Sequence, residues 1–521
     1  MARILVTEEI ADSGLDKLRA AGHDVDVRLG LSAEELLAAV PEAHALIVRS
    51  ATKVTPEVLA AGTDLVVVGR AGIGLDNVDV ETATQRGVMV VNAPESNILS
   101  AAEHTVAMLL AQARNIPQAH AALVEGRWER SQWEGVELAD KTLGIIGLGK
   151  IGRLVAQRAA ALGMHLVAYD PYVGSAAARQ LGLDLVELDE LLGRADFITI
   201  HVARTKETVG LLDADRLARA KDGVRVVNVA RGGIVDEAAL ADAIRSGRVA
   251  GAALDVFAEE PTTASPLFGL PGVIVTPHLG ASTREAQDKA GETIAEQVAL
   301  ALGNEFVPFA VNIAAGAVPE AARPFLGVAE RLGNVFLALN EGVPDTLEVV
   351  YQGQLAEADT RILTLSVLKG VFSRVKDVPV SYVNAPLLAA ERGVEVKEVT
   401  STTSEHYVNL ITVRGGDHAV AATLVGVRGE ARLVMVDDNT VDLPPAPNML
   451  YVRNEDRPGM IGRVGTILGE AGVNIDDMDV GRDPSGEPST MVLATKEPVD
   501  DKVLARLRAE PGIVSAQALL G

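Results

Sequence analysis

Short, uninterrupted apolar runs alternate with Ala-rich stretches from residue 1 to about residue 275, the pattern of repeated β-α units around a parallel sheet. The runs at residues 4–6, 65–68, 88–91, 143–146, 166–169, 197–200, 224–229 and 273–275 are mostly continuous rather than alternating, as strands buried on both faces require. A helix over residues 286–302 would set Ala290, Ile294, Val298 and Leu302 on one stripe and so cover such a sheet. Beyond about residue 319 the texture changes: residues 346–351, 381–383 and 431–436 look like half-exposed strands, and separate α+β modules are expected. Pro444, Pro445 and Pro447 interrupt regular pairing and predict a linker that sets off a terminal unit over residues 446–521.

Composition narrows the class. A chain of 521 residues is too long for one core and should divide into three or four domains. With 48% hydrophobic, 23% charged and 3% aromatic residues, it reads as soluble and globular. Its 47 Lys and Arg against 71 Asp and Glu leave a formal charge of -24, which would repel a phosphate backbone, so nucleic acid is not an expected partner. Anionic metabolites stay possible, because a site needs only a few local cations or a helix N-terminus. The absence of cysteine excludes disulfides, thiolate nucleophiles and Cys-ligated metals, and no metal site is expected. Residues 1–9 run straight into a strand pattern with no signal segment, and no apolar run approaches the roughly 18 residues that cross a bilayer. A cytoplasmic protein with no membrane partner is expected.

The strongest local motif is a strand ending in Gly147-Leu-Gly149-Lys150-Ile151-Gly152 and leading into a helical pattern. Gly147 would permit the tight turn, Gly149 would let backbone approach a pyrophosphate, and Gly152 would allow close helix–strand packing. Asp170 follows at the end of the next strand, 18 residues after Gly152. Its carboxylate could accept both ribose hydroxyls and would repel a 2′-phosphate, which favours NAD over NADP. The alternative is a turn or capping Asp before Pro171.

Taking hydride from a secondary alcohol needs a base for the hydroxyl proton, a group to tune that base and a cation for the substrate carboxylate. Arg231, followed by two glycines, ends one apolar run; Asp255, Glu259 and Glu260 follow a second; His278 follows a third. Strand ends in doubly wound sheets converge on one cleft. There His278 would be the acid/base, Glu260 would hydrogen-bond it and favour imidazolium, and Arg231 would hold the substrate. Singly, an anchoring salt bridge, a capping acid and a turn histidine explain them equally well.

Taken together, residues 228–237, 255–261 and 276–283 resemble the D-isomer-specific 2-hydroxyacid dehydrogenase family, in which an Arg, a Glu before Pro and a His after Pro follow the dinucleotide motif in this order. The likeness runs from residue 1 to about 312 and matches Glu260, directly before Pro261, to the family's acid. It implies an α/β fold of two doubly wound Rossmann-like lobes, a split substrate domain (1–97 and 285–317) and an inserted NAD domain (98–284). The expected cofactor shell is Ile73, Gly147, Gly149, Lys150, Ile151, Gly152, Asp170, Val202, Val229, Arg231, Asp255, His278, Gly280 and Ala281.

Residues 47–50, 69–79 and 92–97 resemble the phosphoglycerate-oxidising branch of that family. By that resemblance Arg49, Ser50 and Asn97 join Arg231 and His278 as substrate ligands, and 3-phospho-D-glycerate is the implied substrate. Residues 128–131 are similar to a segment that reaches a neighbouring subunit, which implies a homo-oligomer, expected to be a homotetramer. Residues 449–475 resemble an ACT domain, in which an amino acid binds between a turn and a partner copy. Asn454, Asp456 and Asn474 would bind it, and serine is the implied effector. Two smaller α+β regulatory domains are thus expected, an intervening one over 318–445 and the ACT unit over 446–521. In the former, Lys369, Arg374 and Lys376 read as a solvated helix face. Two other functions stay open. One is reduction of another 2-oxoacid such as 2-oxoglutarate; the other is an NAD-sensing scaffold like the family's corepressor relatives, against which the Arg231, Glu260 and His278 set argues.

Overall fold

The computed structural model describes the chain except residues 175–177, 180–181, 304, 315–317, 341, 374–379, 482–488 and 521. Arg374 and Lys376 lie outside the described residues.

The first lobe is a parallel sheet of β1 (Arg3–Val6), β2 (Asp24–Val27), β3 (Ala45–Val48), β4 (Val67–Arg70) and β5 (Met89–Asn92), in the order β2-β1-β3-β4-β5. Helix Arg284–Leu302, far along the chain, returns to cover it, burying Ala290, Ile294 and Val298 among Ile4, Val6 and Val67. The return is locked by Asn312, whose Oδ1 accepts from Val90 N at 2.9 Å while its Nδ2 donates to Val88 O at 3.0 Å.

The second lobe is a seven-stranded parallel sheet of β6 (Thr142–Ile146), β7 (His165–Tyr169), β8 (Asp184–Leu185), β9 (Phe197–Ile200), β10 (Val224–Asn228), β11 (Val249–Leu254) and β12 (Val273–Val275). Its order, β12-β11-β10-β9-β6-β7-β8, reverses between β6 and β9, so the crevice beyond their carboxyl ends is the natural ligand position. Helix Ile98–Ala113 joins the lobes.

The third sheet is mixed: β13 (Thr346–Gly353), β14 (Glu395–Ser401), β15 (Asn409–Gly415), β16 (His418–Val425), β17 (Glu430–Val436) and β18 (Asn439–Leu443), in the order β14-β13-β15-β16-β17-β18. Helices Leu326–Leu339 and Arg361–Phe372 pack with their backbones nearly touching: a Cβ built on Gly370 would stand 2.0 Å from Glu330 O. The second of these helices is buried from Ile362 to Phe372, which corrects the expectation of a solvated face around Lys369. Lys369 is 7% exposed, its Nζ 3.1 Å from Glu330 Oε2 and 4.7 Å from the Tyr382 ring centroid. The stretch is apolar on every side, so the ammonium is carried inside and paired there.

The fourth sheet is antiparallel, with β19 (Asn448–Asn454), β20 (Ile475–Gly481), β21 (Ser489–Thr495) and β22 (Ile513–Leu520) in the order β20-β21-β19-β22. Alternation decides its packing. Leu450 and Val452 face helices Met460–Glu470 and Asp501–Ala509 with Val464, Leu468 and Leu507. Met449 and Tyr451 face the other way and enter the core of the third sheet beside Val436 and Leu443. The proline cluster does break strand pairing between β18 and β19. The units on either side nevertheless share a core, so it does not act as a free linker.

Candidate functional site

At the end of β6, Gly147 has φ 98°, and a Cβ there would lie 2.6 Å from His201 O. A Cβ on Gly152 would stand 2.1 Å from Gly147 O, whereas one on Gly149 would meet nothing within 4 Å. Two glycines are thus required by packing, and the third faces open space at the start of helix Lys150–Ala161, where a pyrophosphate fits. Asp170 ends β7 with Oδ2 accepting from Leu148 N at 2.8 Å and Oδ1 accepting from Tyr172 N at 2.9 Å. It therefore both ties the glycine loop and shapes its own turn, while standing where ribose hydroxyls would arrive. Lys150 Nζ lies 2.5 Å from Glu95 Oε1 across the lobe boundary, and Ile151 follows it in the helix. Val202 flanks Gly147, and Val229 flanks Gly280. Ile73 O accepts from Asn92 Nδ2 at 2.7 Å on the opposing lobe, and Ala281 is half-buried after Gly280. These residues suit a dinucleotide.

The turn after β12 carries His278 in a left-handed conformation, φ 55°, which is uncommon for a residue other than glycine and needs support from its surroundings. The support comes from Asp255, which is fully buried just beyond β11. Its Oδ1 accepts from Thr276 Oγ1 at 2.5 Å and Leu279 N at 2.7 Å, and its Oδ2 accepts from Gly280 N at 2.8 Å. Burial pushes this carboxyl up, but hydrogen bonds from His104, Thr276, Leu279 and Gly280 outweigh it and hold it below the usual range. Asp255 thus stands behind the turn, supporting it.

His278 Nδ1 is 2.6 Å from Glu260 Oε2, and Glu260 Oε1 accepts from Phe257 N at 2.9 Å. Burial raises the Glu260 carboxyl, and the bonds from His278 and Phe257 outweigh that and keep it ionised. An ionised acceptor at Nδ1 fixes the proton there and leaves Nε2 as the reactive nitrogen of a ring that is 44% exposed.

Arg231 follows β10. Its Nη1 donates to Ala230 O at 2.8 Å and its Nε lies 3.3 Å from Asp76 Oδ2. A Cβ on Gly74 would stand 2.3 Å from Arg231 Nη2, so that glycine makes room for the guanidinium. On the first lobe the Arg49–Ser50 loop is wrapped around Glu8, whose carboxylate accepts from Arg49 N at 2.8 Å, Ala51 N at 3.1 Å and Thr52 N at 2.9 Å. Asn77 Nδ2 donates to Arg49 O at 2.7 Å. Asn97 caps the joining helix in position only; its Oδ1 is buried with no hydrogen-bond partner among the described residues.

Sequence reasoning did not single out Arg70, the last residue of β4. Burial, then the neighbouring Arg231 and Arg49, push its guanidinium down to about 10, and its Nε is buried without a partner among the described residues. Arg231 and Arg49 both act on Arg70 as like charges, with Asp76 and Glu8 the opposing carboxylates. An arginine at the carboxyl end of a parallel strand was the available signal.

In the terminal unit Asn454 is 2% exposed, donates from Nδ2 to Glu455 O at 2.8 Å and leaves Oδ1 without a partner among the described residues. Asp456 is exposed beside it. Asn474 is exposed and bonds Asp476 Oδ1 at 3.0 Å. Asn454 pairs with Ser489 at one end of β21, whereas Ile475, next to Asn474, pairs with Thr495 at the other. About 20 Å of strand separates those ends, so one copy does not bring Asn454 and Asp456 together with Asn474.

Known proteins share this organisation. Residues 106–280 match the D-isomer specific 2-hydroxyacid dehydrogenase NAD binding domain, residues 321–437 the D-3-phosphoglycerate dehydrogenase intervening domain, and residues 448–512 the ACT domain. The chain is 50% identical to D-3-phosphoglycerate dehydrogenase of Mycobacterium tuberculosis over 97% of both chains. It is 43% identical to that of Archaeoglobus fulgidus over 99% of both. Among solved structures, the TT0316 protein of Thermus thermophilus is similar with a TM-score of 0.56 and 35% identity, covering 59% of this chain and 99% of its own. Likeness at this level over the whole length, with the catalytic lobes and both regulatory units in the same order, places the chain in the D-3-phosphoglycerate dehydrogenase family.

Proposed function

We propose that this chain oxidises 3-phospho-D-glycerate to 3-phosphohydroxypyruvate with NAD, as the entry step of serine biosynthesis. NAD would be held by the turn of Gly147, Gly149 and Gly152 with Asp170, and would supply the acceptor for the C2 hydride. Residues 1–97 and 285–317 form the substrate domain and 98–284 the cofactor domain, and the site lies between them. Arg231 holds the substrate carboxylate, while Arg49 and Arg70, with Ser50 and Asn97, take the phosphate and hydroxyl groups. His278 Nε2 accepts the proton of the C2 hydroxyl, and Glu260 stabilises the imidazolium that results. The observation that carries this reading is the His278–Glu260 pair at 2.6 Å, supported by Arg231 and Arg49 acting on the buried Arg70, which offers cations beyond the one a carboxylate takes.

Serine, bound between Asn454 and Asp456 of one copy and Asn474 of another, is the proposed effector. A homo-oligomer, a tetramer in our reading, follows from that shared site. It is supported by three exposed apolar side chains close together in the chain, Leu123, Val124 and Trp128, the last 82% exposed. No described helix is long and apolar enough to cross a membrane, and we assign the enzyme to the cytoplasm. Purified protein should form NADH from 3-phosphoglycerate and not from 2-hydroxyglutarate. Intact NADH binding without phosphoglycerate turnover contradicts the assignment.

A further inference from the structure

Helix Ile98–Ala113 starts at the substrate-site Asn97 and lays one face on the turn that bears His278. Ser100, His104 and Met108, four residues apart, form that face. Ser100 Oγ is 2.7 Å from Thr283 Oγ1, and Met108 Sδ is 3.8 Å from Thr276 Oγ1. Between them His104 Nε2 lies 3.2 Å from both Asp255 Oδ1 and Thr276 Oγ1.

Proton accounting assigns the donor. The single Thr276 hydroxyl proton is directed at Asp255 Oδ1, 2.5 Å away, so a bare nitrogen on His104 would face two oxygens with lone pairs toward it. His104 therefore carries a proton on Nε2 and gives it to the Asp255 carboxylate and the Thr276 oxygen. Asp255 in turn receives Leu279 N and Gly280 N, and its backbone carbonyl receives His278 N at 2.9 Å.

We propose that His104 is a positioning residue for catalysis: its Nε2–H anchors the Asp255–Thr276 pair that holds the His278 turn, and so joins the helix of Asn97 to the acid/base. The inference rests on the role proposed above for His278. His104 does not touch the reacting atoms. Removing its donor leaves the buried carboxylate short of one bond and frees the constrained turn to relax, moving Nε2 of His278 away from the hydroxyl it must reach.

The test compares His104→Phe, which keeps bulk but no donor, with His104→Gln, whose amide nitrogen reaches the same place. His104→Phe should lower kcat about 10- to 100-fold, with NADH affinity by fluorescence within twofold of the native enzyme, since a displacement of about 1 Å has that effect on rate. His104→Gln should recover most of the loss. Native kcat in His104→Phe, or equal loss in the Phe and Gln variants, overturns the proposal, and the Gln variant keeps the test decisive should the Phe variant not fold. His278→Ala in the same assay separates the two levels. If it retains turnover, the acid/base assignment fails; if it is inactive while His104→Phe is unimpaired, only the positioning role fails.

Discussion

At the scale of single residues, the chemistry depends on charges held where water alone would not hold them. Arg70 illustrates this: a guanidinium whose pKa is lowered by burial and by two like neighbours is stabilised by whatever anion enters. Arg70→Gln should raise KM for 3-phosphoglycerate about 10- to 100-fold, the equivalent of one charge-assisted bond, and leave NADH affinity unchanged in a fluorescence titration. Unchanged KM would place the phosphate elsewhere. Glu8 acts one step back. Its burial raises the carboxyl, and three backbone N–H donors outweigh that and depress it. A depressed folded pKa means its stabilising effect is complete above the ordinary carboxylate range and is lost as pH falls through the lowered value. Glu8→Gln, which cannot satisfy all three donors, should raise KM for phosphoglycerate at neutral pH as the Arg49 loop loosens, and it should blunt the acid-side rise in KM of the native enzyme. The meeting of Glu260 with His278 was legible in the sequence because each follows an apolar run downstream of the glycine motif. Arg70 and His104 were not, because nothing in a sequence says which strand-end arginine turns inward or which helix face meets a distant turn.

At the scale of elements, the glycine motif shows why spacing is informative. Gly147 and Gly152 are needed for backbone-to-backbone contact, and Gly149 leaves open space at the helix start, two physical conditions in one turn. Gly152→Ala forces a methyl to within 2.1 Å of Gly147 O, and the strand–helix junction must open. We expect NADH binding to weaken at least tenfold while the midpoint of thermal unfolding falls by only a few degrees; native affinity in that variant would remove the motif from the cofactor site. Parallel strands and covering helices were legible for the same reason: continuous apolar runs admit few other arrangements. Helix Arg361–Phe372 was misread because Lys369 suggested solvent, yet the apolar positions on all its faces bury it, and Glu330 with the Tyr382 ring takes up the charge.

At the scale of the molecule, the regulatory units are more tightly joined than the prolines suggested. Met449 and Tyr451 complete the core of the intervening domain, and the Tyr451 hydroxyl donates to Asp437 Oδ2 at 2.8 Å. The intervening domain in turn docks on the substrate lobe, where Ser381 Oγ donates to Gly87 O at 2.9 Å and Val383 is buried among that lobe's apolar residues. The last sheet is therefore joined to the catalytic lobes by a continuous packed route, through contacts of long sequence separation that local patterning does not reveal. Asn474→Ala should weaken inhibition by serine about tenfold or more and leave kcat intact; an unchanged serine titration removes Asn474 from the effector site. The central claim is most directly tested by following NADH formation from 3-phosphoglycerate by the native enzyme and by His278→Ala side by side, with NADH binding measured in both. The account predicts turnover in the native enzyme, a fall of about 10²- to 10⁴-fold in the variant and equal NADH affinity; native-level turnover by His278→Ala would contradict it.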